Sequence, residues 1–383
     1  MSVRSLVRVL VGTVLVVAAA CGGDPEPGPQ ATGSTIVKGG DDRTGPYDVV
    51  AGWWKQAPDH DEEWSWGQVA GVAVDNSDRI IVVTRGDWPA DRSQPREDRL
   101  RRTNFIVVAD GNGNIIEQWS QWDSILTLPH QAYINPYDAE RHVWVIDSGG
   151  ANGHHQILKF SNDGSELVMQ LGERDHPKTR EAARARSDWG PHTYGWPSKL
   201  AFLPDGSFLL ADGYWNSRII KYTEDGELVM QWGALGTGPG EFDLLHGLAV
   251  DEDRVYVGDR QNQRIQIFTH EGEFIEEWPN IFDPVNIWID ESHSVWVVDA
   301  SLNRVLKYSD EGELLYHWGT YGQAAALGRA TWPGGLSRPH QLDLDADGNL
   351  YIASYTGGWV NKFIPNPDAD PSKLLGRRLL LSN

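Results

Sequence analysis

One cysteine, Cys21, stands in 383 residues, so no intrachain disulfide can form and the fold must rest on its own core. Cations are also scarce, with 33 Lys and Arg against 54 Asp and Glu and a formal charge of −21. A nucleic-acid partner would have to be met by clustered positive charge, so none is expected. Beyond the stretch 9–20 there is no long apolar run, and that one is too short to span a membrane. Sustained 3.6-residue apolar periodicity is absent as well, which argues against a helical domain.

The apolar stretch follows Arg4 and Arg8 and runs into Ala18-Ala19-Ala20-Cys21, a small-residue cleavage pattern. Residues 1–21 therefore read as an export signal, with Cys21 as the lipidated first residue of a bacterial-type lipoprotein. The chain is expected at the cell envelope, touching the membrane through its lipid only. An uncleaved anchor or a plain secretory peptide stays open as the alternative. Residues 22–46 are rich in Gly, Pro and Asp and read as a flexible linker.

What is present in abundance is repetition. An alternating strand, an Asp-Gly turn, a second strand ending near Asp, an Asn-x-Arg turn, a third strand, an acidic-Gly turn and a fourth strand ending in Trp-Gly recur along the chain. The clearest copy runs from Leu200 through Asp212 and Asn216-Ser-Arg218 to Trp232-Gly233. Further copies start near Gly71, Gln131, Gly247, Asn286 and Gln341, six in all. Repeats of roughly 40 residues with hairpin turns throughout indicate blades of a β-propeller. The expected fold is all-β, a six-bladed propeller over 47–365 followed by a tail over 366–383. The last copy lacks its fourth strand, and the unassigned strand beginning at Tyr47 is expected to supply it and close the ring. Segments 86–103, 173–196 and 320–338 are expected as loops.

Aligning the starts of the six innermost strands places Ala70, His130, Ser198, His246, Val285 and His340 at one register. Histidine occurs in alternate copies, and alternate blades of a six-bladed ring are a third of a turn apart. His130, His246 and His340 should therefore converge on the axis, where three imidazoles and an open position suit a catalytic zinc or, equally for imidazole, iron. The other nine histidines are read as surface or loop residues. Arg85, Tyr214 and Arg260 each follow a second strand and should sit at the same rim. Cations and a phenol beside a metal suit a carboxylate-bearing substrate with a proton to be moved. An adjacent arginine and a divalent ion would favour the phenolate of Tyr214.

These residues, in this order, resemble the peptidyl-α-hydroxyglycine α-amidating lyases. The likeness covers most of residues 66–363 and is carried by Gly67-Gln-Val-Ala-Gly-Val-Ala-Val-Asp75, Arg85-Gly-Asp87, Leu128-Pro-His130, Asp212-Gly-Tyr-Trp-Asn-Ser-Arg218, His246-Gly-Leu248, Asp259-Arg260, Arg264-Ile-Gln266 and Pro339-His340. The resemblance implies zinc on the three histidines, Tyr214 as base toward a substrate hydroxyl, and Arg85 and Arg260 holding a small peptide-like α-hydroxy-amide. The implied reaction cleaves a carbinolamide N–C bond to a primary amide and glyoxylate, in a monomer. It also implies a structural calcium on the backbone carbonyls of Val72 and Ala132 and on an aspartate after the third histidine. That position is Gln341, which brings no charge, so calcium affinity should fall. The family's cysteines are absent too, with Trp215 standing where one would fall.

Two other readings remain. Another metal-dependent propeller hydrolase, such as a lactone-hydrolysing enzyme, would resemble sites rich in Glu, Asn and Asp around calcium, unlike three histidines. A non-catalytic propeller could bind protein or glycan at its rim. Trp119, Trp232, Trp278 and Trp318 lie at blade ends, however, where packing between blades is the simpler role.

Overall fold

The computed structural model describes residues 35–37, 41–90, 102–149, 154–173, 179–184, 190–319 and 333–382. The expected signal over 1–21, Cys21 and the first part of the linker lie outside the described residues. Six antiparallel sheets follow one another along the chain. Blade 1 holds Val69–Asn76, Arg79–Thr84, Ile106–Ala109 and Ile115–Gln118. In blade 2 the strands are Pro129–Ile134, Val143–Asp147, Gln156–Phe160 and Leu167–Leu171. Blade 3 comprises Lys199–Phe202, Phe208–Asp212, Arg218–Tyr222 and Leu228–Trp232; blade 4 comprises Leu245–Val250, Arg254–Asp259, Arg264–Thr269 and Phe274–Pro279. Blade 5 runs through Pro284–Ile289, Val295–Asp299, Arg304–Tyr308 and Leu314–Trp318.

Blade 6 closes the circle. Its strands Pro339–Leu344, Leu350–Ser354 and Trp359–Pro365 come from the end of the repeat region, and Tyr47–Ala51 pairs with the last of them, Val49 opposite Phe363. Inside the segment expected as flexible linker, Thr35–Val37 adds a fifth strand beside Tyr47–Ala51, and Asp41–Thr44 forms a helical turn. The sheet extends there because the closing strand would otherwise be an open edge. Two of the segments expected as loops also carry structure. Asp87–Pro89 pairs antiparallel with Trp64–Trp66, and Arg180–Arg184 is a short helix. Among the described residues, no helix is long and apolar enough to cross a membrane.

The core lies at the seams. Six buried apolar clusters fall one to each blade boundary, including Val72, Ile80 and Val82 of blade 1 against Tyr351 and Ala353 of blade 6. The blade-end tryptophans build these seams. Trp278 is 5% exposed and stacks on Tyr308 of blade 5 with ring centroids 5.8 Å apart, while Trp318 is fully buried. The Trp119, Trp232 and Trp278 rings lie on the acidic-Gly turn of the next blade, while Trp318 lies on Gly45: a Cβ on Gly312, at φ +83°, would come within 2.5 Å of Trp278 Nε1. Glycine is thus required there twice, for its backbone angle and for the absence of a side chain. The repeating Asp and Arg have an equally local purpose. Asp259, fully buried at the end of a second strand, accepts from the Asp243 backbone at 2.9 Å and pairs with Arg264 Nε at 2.8 Å. Asp212 and Arg218 repeat this arrangement in blade 3 at 3.0 Å.

The tail over 366–382 folds back across strand ends. Leu375 is buried and donates its N–H to the Tyr47 hydroxyl, Leu379 N–H donates to Ile289 O, and Leu381 N–H donates to the Tyr137 hydroxyl. Arg378 stacks over the Trp288 ring at 4.1 Å.

Candidate metal centre

The three histidines open the innermost strands of blades 2, 4 and 6, and the closed ring brings them together on the axis. Their ring centroids lie 4.7 to 4.9 Å apart pairwise. His246 Nε2 is 3.2 Å from His130 Nε2 and 3.2 Å from His340 Nε2. On the outer side of each ring, Nδ1 meets a backbone carbonyl of the next blade: His130 meets Ser198 O at 3.2 Å, His246 meets Val285 O at 2.8 Å and His340 meets Ala70 O at 2.5 Å. Those carbonyls belong to the intervening members of the same six-residue register. A carbonyl can only accept, so every Nδ1 carries its proton and every Nε2 presents a lone pair inward.

Three inward lone pairs this close repel one another unless a cation lies among them. Tetrahedral zinc with Zn–N of about 2.0–2.1 Å would space its nitrogens about 3.3 Å apart, so the set fits such an ion. His130, His246 and His340 could therefore hold a metal. Protonation is disfavoured at all three. Burial pushes each pKa well below the ordinary imidazole value; neighbouring imidazoles add to this at His130 and His246, and the Lys199 ammonium does so at all three.

Tyr214 stands over the cluster, its hydroxyl 3.0 Å from His130 Nε2 and 3.1 Å from His246 Nε2. Burial raises its pKa, with Arg260 and Arg85 pulling the other way. The phenolate expected from the sequence is therefore not favoured by the arginines alone, because desolvation outweighs them. Arg85 donates to the Tyr355 hydroxyl and lies over that ring at 4.7 Å, and its Nε is buried without a partner. Arg260 pairs through Nε with the buried Asp283, which also takes Arg338 at 3.0 Å and the Ser301 hydroxyl at 2.5 Å. All six expected site residues thus gather at one end of the channel.

Several neighbours escaped the sequence reading. Tyr355 follows the second strand of blade 6 as Arg85 follows that of blade 1, so its register could have revealed it. Asp283 lies just before an innermost strand in a position with no repeat signature. Trp196 adopts φ +60°, stacks on Trp215 at 5.1 Å and lies 5.5 Å from the Tyr214 ring, with a buried indole N–H that has no partner. Trp215, at the place of the missing cysteine, thus joins two loops by stacking rather than by a disulfide. Three histidines read as surface or loop residues are enclosed: His155, fully buried with Nδ1 2.9 Å from Tyr194 O; His142, buried on its turn; and His60, whose side chain is enclosed and paired with Asp87 at 2.9 Å. Asp138, Glu140 and His142 form a second group of potential ligands, but their turn is partly exposed and already closed by its own hydrogen bonds.

The implied calcium position is filled by protein. Gln341 Oε1 accepts from the backbone N–H of Val72 at 3.1 Å and of Ala132 at 3.2 Å, and its Nε2 donates to Ala132 O at 2.6 Å. An amide donor satisfies the Ala132 carbonyl that the ion would need and no carboxylate replaces it, so these residues do not fit calcium.

Residues 242–268 match the NHL repeat family. Peptidyl-alpha-hydroxyglycine alpha-amidating lyase 1 of Drosophila melanogaster is 24% identical over 343 residues, 80% of this chain and 59% of that protein. The chain thus carries a matched NHL repeat and is similar to proteins named as peptidyl-alpha-hydroxyglycine alpha-amidating lyases. Peptidyl-glycine alpha-amidating monooxygenase B of Xenopus laevis is 26% identical over 326 residues, and this propeller spans 34% of its length. NHL repeat-containing protein 3 of Homo sapiens is 25% identical over 335 residues, covering 85% of this chain and 86% of that protein. Among solved structures, a streptogramin B lyase superposes with TM-score 0.53 at 14% identity over 78% of this chain and 93% of its own, a likeness of fold alone.

Proposed function

We propose that this propeller is a metal-dependent lyase that cleaves an α-hydroxyglycine-type carbinolamide to a primary amide and glyoxylate. The observation that carries this reading is the convergence of three Nδ1-anchored imidazoles, with His246 Nε2 3.2 Å from the Nε2 of each of the other two, beneath a tyrosine hydroxyl. His130, His246 and His340 would hold zinc or iron, which supplies a Lewis acid for substrate oxygen and a positive charge favouring an adjacent phenolate.

The chain's own groups account for the rest. Arg85 and Arg260 present guanidinium donors to a carboxylate at the channel mouth, with Tyr355 and Asp283 holding them in place. The Tyr214 oxygen takes the proton from the substrate hydroxyl as the N–C bond breaks. The electron pair left on the substrate oxygen forms the aldehyde carbonyl of glyoxylate, the N–C pair leaves on the amide nitrogen, and that nitrogen takes up the proton Tyr214 has accepted, so no water is added. Trp196 and Trp215 wall one side of the reacting centre and limit water access.

The test is release of glyoxylate and peptide amide in equal amounts from a short peptide ending in α-hydroxyglycine, using zinc- or iron-loaded protein. Rates at the uncatalysed background would overturn the reading. A metal-free native protein would instead favour a binding scaffold, a role left open by the similarity to NHL repeat-containing protein 3, whose name states no reaction. We further propose an exported, monomeric protein anchored by lipid at Cys21. Cys21→Ser should move it from the membrane to the soluble fraction, and an unchanged distribution would refute the anchor.

A further inference from the structure

Directly beneath the histidines lies a second ring, formed by the next residue of each innermost strand: Gly71, Gln131, Lys199, Gly247, Asn286 and Gln341. Its four side chains are polar, and all are at most 5% exposed. Lys199 Nζ donates to Gln131 Oε1 at 3.0 Å and to Asn286 Oδ1 at 2.8 Å. That donation holds Gln131 by its oxygen and leaves its amide nitrogen 3.0 Å from His340 Nδ1, whose own proton is turned to Ala70 O. Gln341 is oriented in the same way: two backbone N–H groups claim its oxygen, leaving its NH₂ for the Ala132 carbonyl. Gly71 leaves room for this, since a Cβ there would lie 2.6 Å from Gln341 Oε1.

We infer that this ring is an ion-free lock that replaces the structural calcium implied by the family resemblance. Gln341 joins blade 6 to the backbones of blades 1 and 2, as a cation bridging carbonyls would. Lys199, from blade 3, ties in blades 2 and 5 through its two donated hydrogen bonds. Side-chain donors of the chain itself therefore hold the axis, and the histidine layer above rests on them. The inference concerns calcium and the fold, so it stands or falls separately from the lyase reading.

The full-length protein should be dialysed against a calcium chelator, analysed for calcium, and melted with and without added calcium chloride. Less than about 0.1 equivalent of calcium and a Tm change under about 1 °C are expected; a site saturated about a hundredfold over its Kd would raise Tm by about 4 °C. Gln341→Glu keeps the shape but sets a carboxylate oxygen against Ala132 O. It should melt well below wild type in chelator and regain stability with calcium. Retained stoichiometric calcium, or a calcium-dependent rise in wild-type Tm, would overturn the inference, as would a Gln341→Glu protein of wild-type stability in chelator with no calcium response. Should that variant fail to fold, the wild-type measurements still decide.

Discussion

Removing the Tyr214 hydroxyl tests the chemistry most directly. Its hydrogen-bond partners are His130 Nε2 at 3.0 Å and His246 Nε2 at 3.1 Å, so Tyr214→Phe leaves no distant group unpaired. The ring's packing on Trp196, 5.5 Å away, is retained. One hydrogen bond is worth about 1 kcal/mol, so Tm should fall by only about 1–2 °C. If the oxygen is the proton acceptor, turnover loses a general base, a factor of about 10²–10⁴ or about 2.7–5.4 kcal/mol of barrier. The assay is glyoxylate release at saturating substrate, with metal content measured on the same sample. A hundredfold or greater fall in kcat at unchanged metal content is expected. Turnover within about threefold of wild type at full metal occupancy would remove Tyr214 from the mechanism.

Three further outcomes follow from the geometry. Gly312→Ala combines a left-handed backbone angle with a contact of 2.5 Å to Trp278 and should cost about 2–4 kcal/mol in a urea titration; less than about 0.5 kcal/mol would mean the seam yields freely. Arg264→Met strands the fully buried Asp259 and should destabilise by about 3–5 kcal/mol, with Asp259→Asn in the same chain restoring part of the loss; strictly additive losses would refute the pairing. In metal-stripped protein the three axial histidines have folded pKa values well below the unfolded value of about 6.5. Below that pH the unfolded chain binds protons that the folded chain refuses, so stability falls with acidification, by up to about 1.4 kcal/mol per pH unit for each histidine. Urea midpoints at pH 7.5 and 5.5 should show this loss, and it should shrink in His246→Gln; equal midpoints would contradict it.

The blades were legible in the sequence because each is built from local signals: alternation, acidic-Gly turns and the Asp and Arg that hold a strand end. The three histidines were legible because a ring converts repeat register into direction. What stayed hidden were contacts between different registers. Asp283 gained its role from two arginines 23 and 55 residues away, and no repeat position marks it. The orientation of Gln341 depends on backbone groups of blades 1 and 2, which no reading of one strand supplies. At Tyr214, spacing shows the nearby arginines but not how dry their surroundings are.

The join between Tyr47–Ala51 and Trp359–Pro365 also governs the order of events at birth. The earlier segment leaves the ribosome some three hundred residues before its partner, and its Tyr47 and Val49, which pack between blades 5 and 6, have no lasting shelter until then. Closure is therefore a late, long-range step, and long-range pairing is slow. A nascent chain held short of Trp359 should remain open at this joint and be sensitive there to proteases, however well its middle blades have formed.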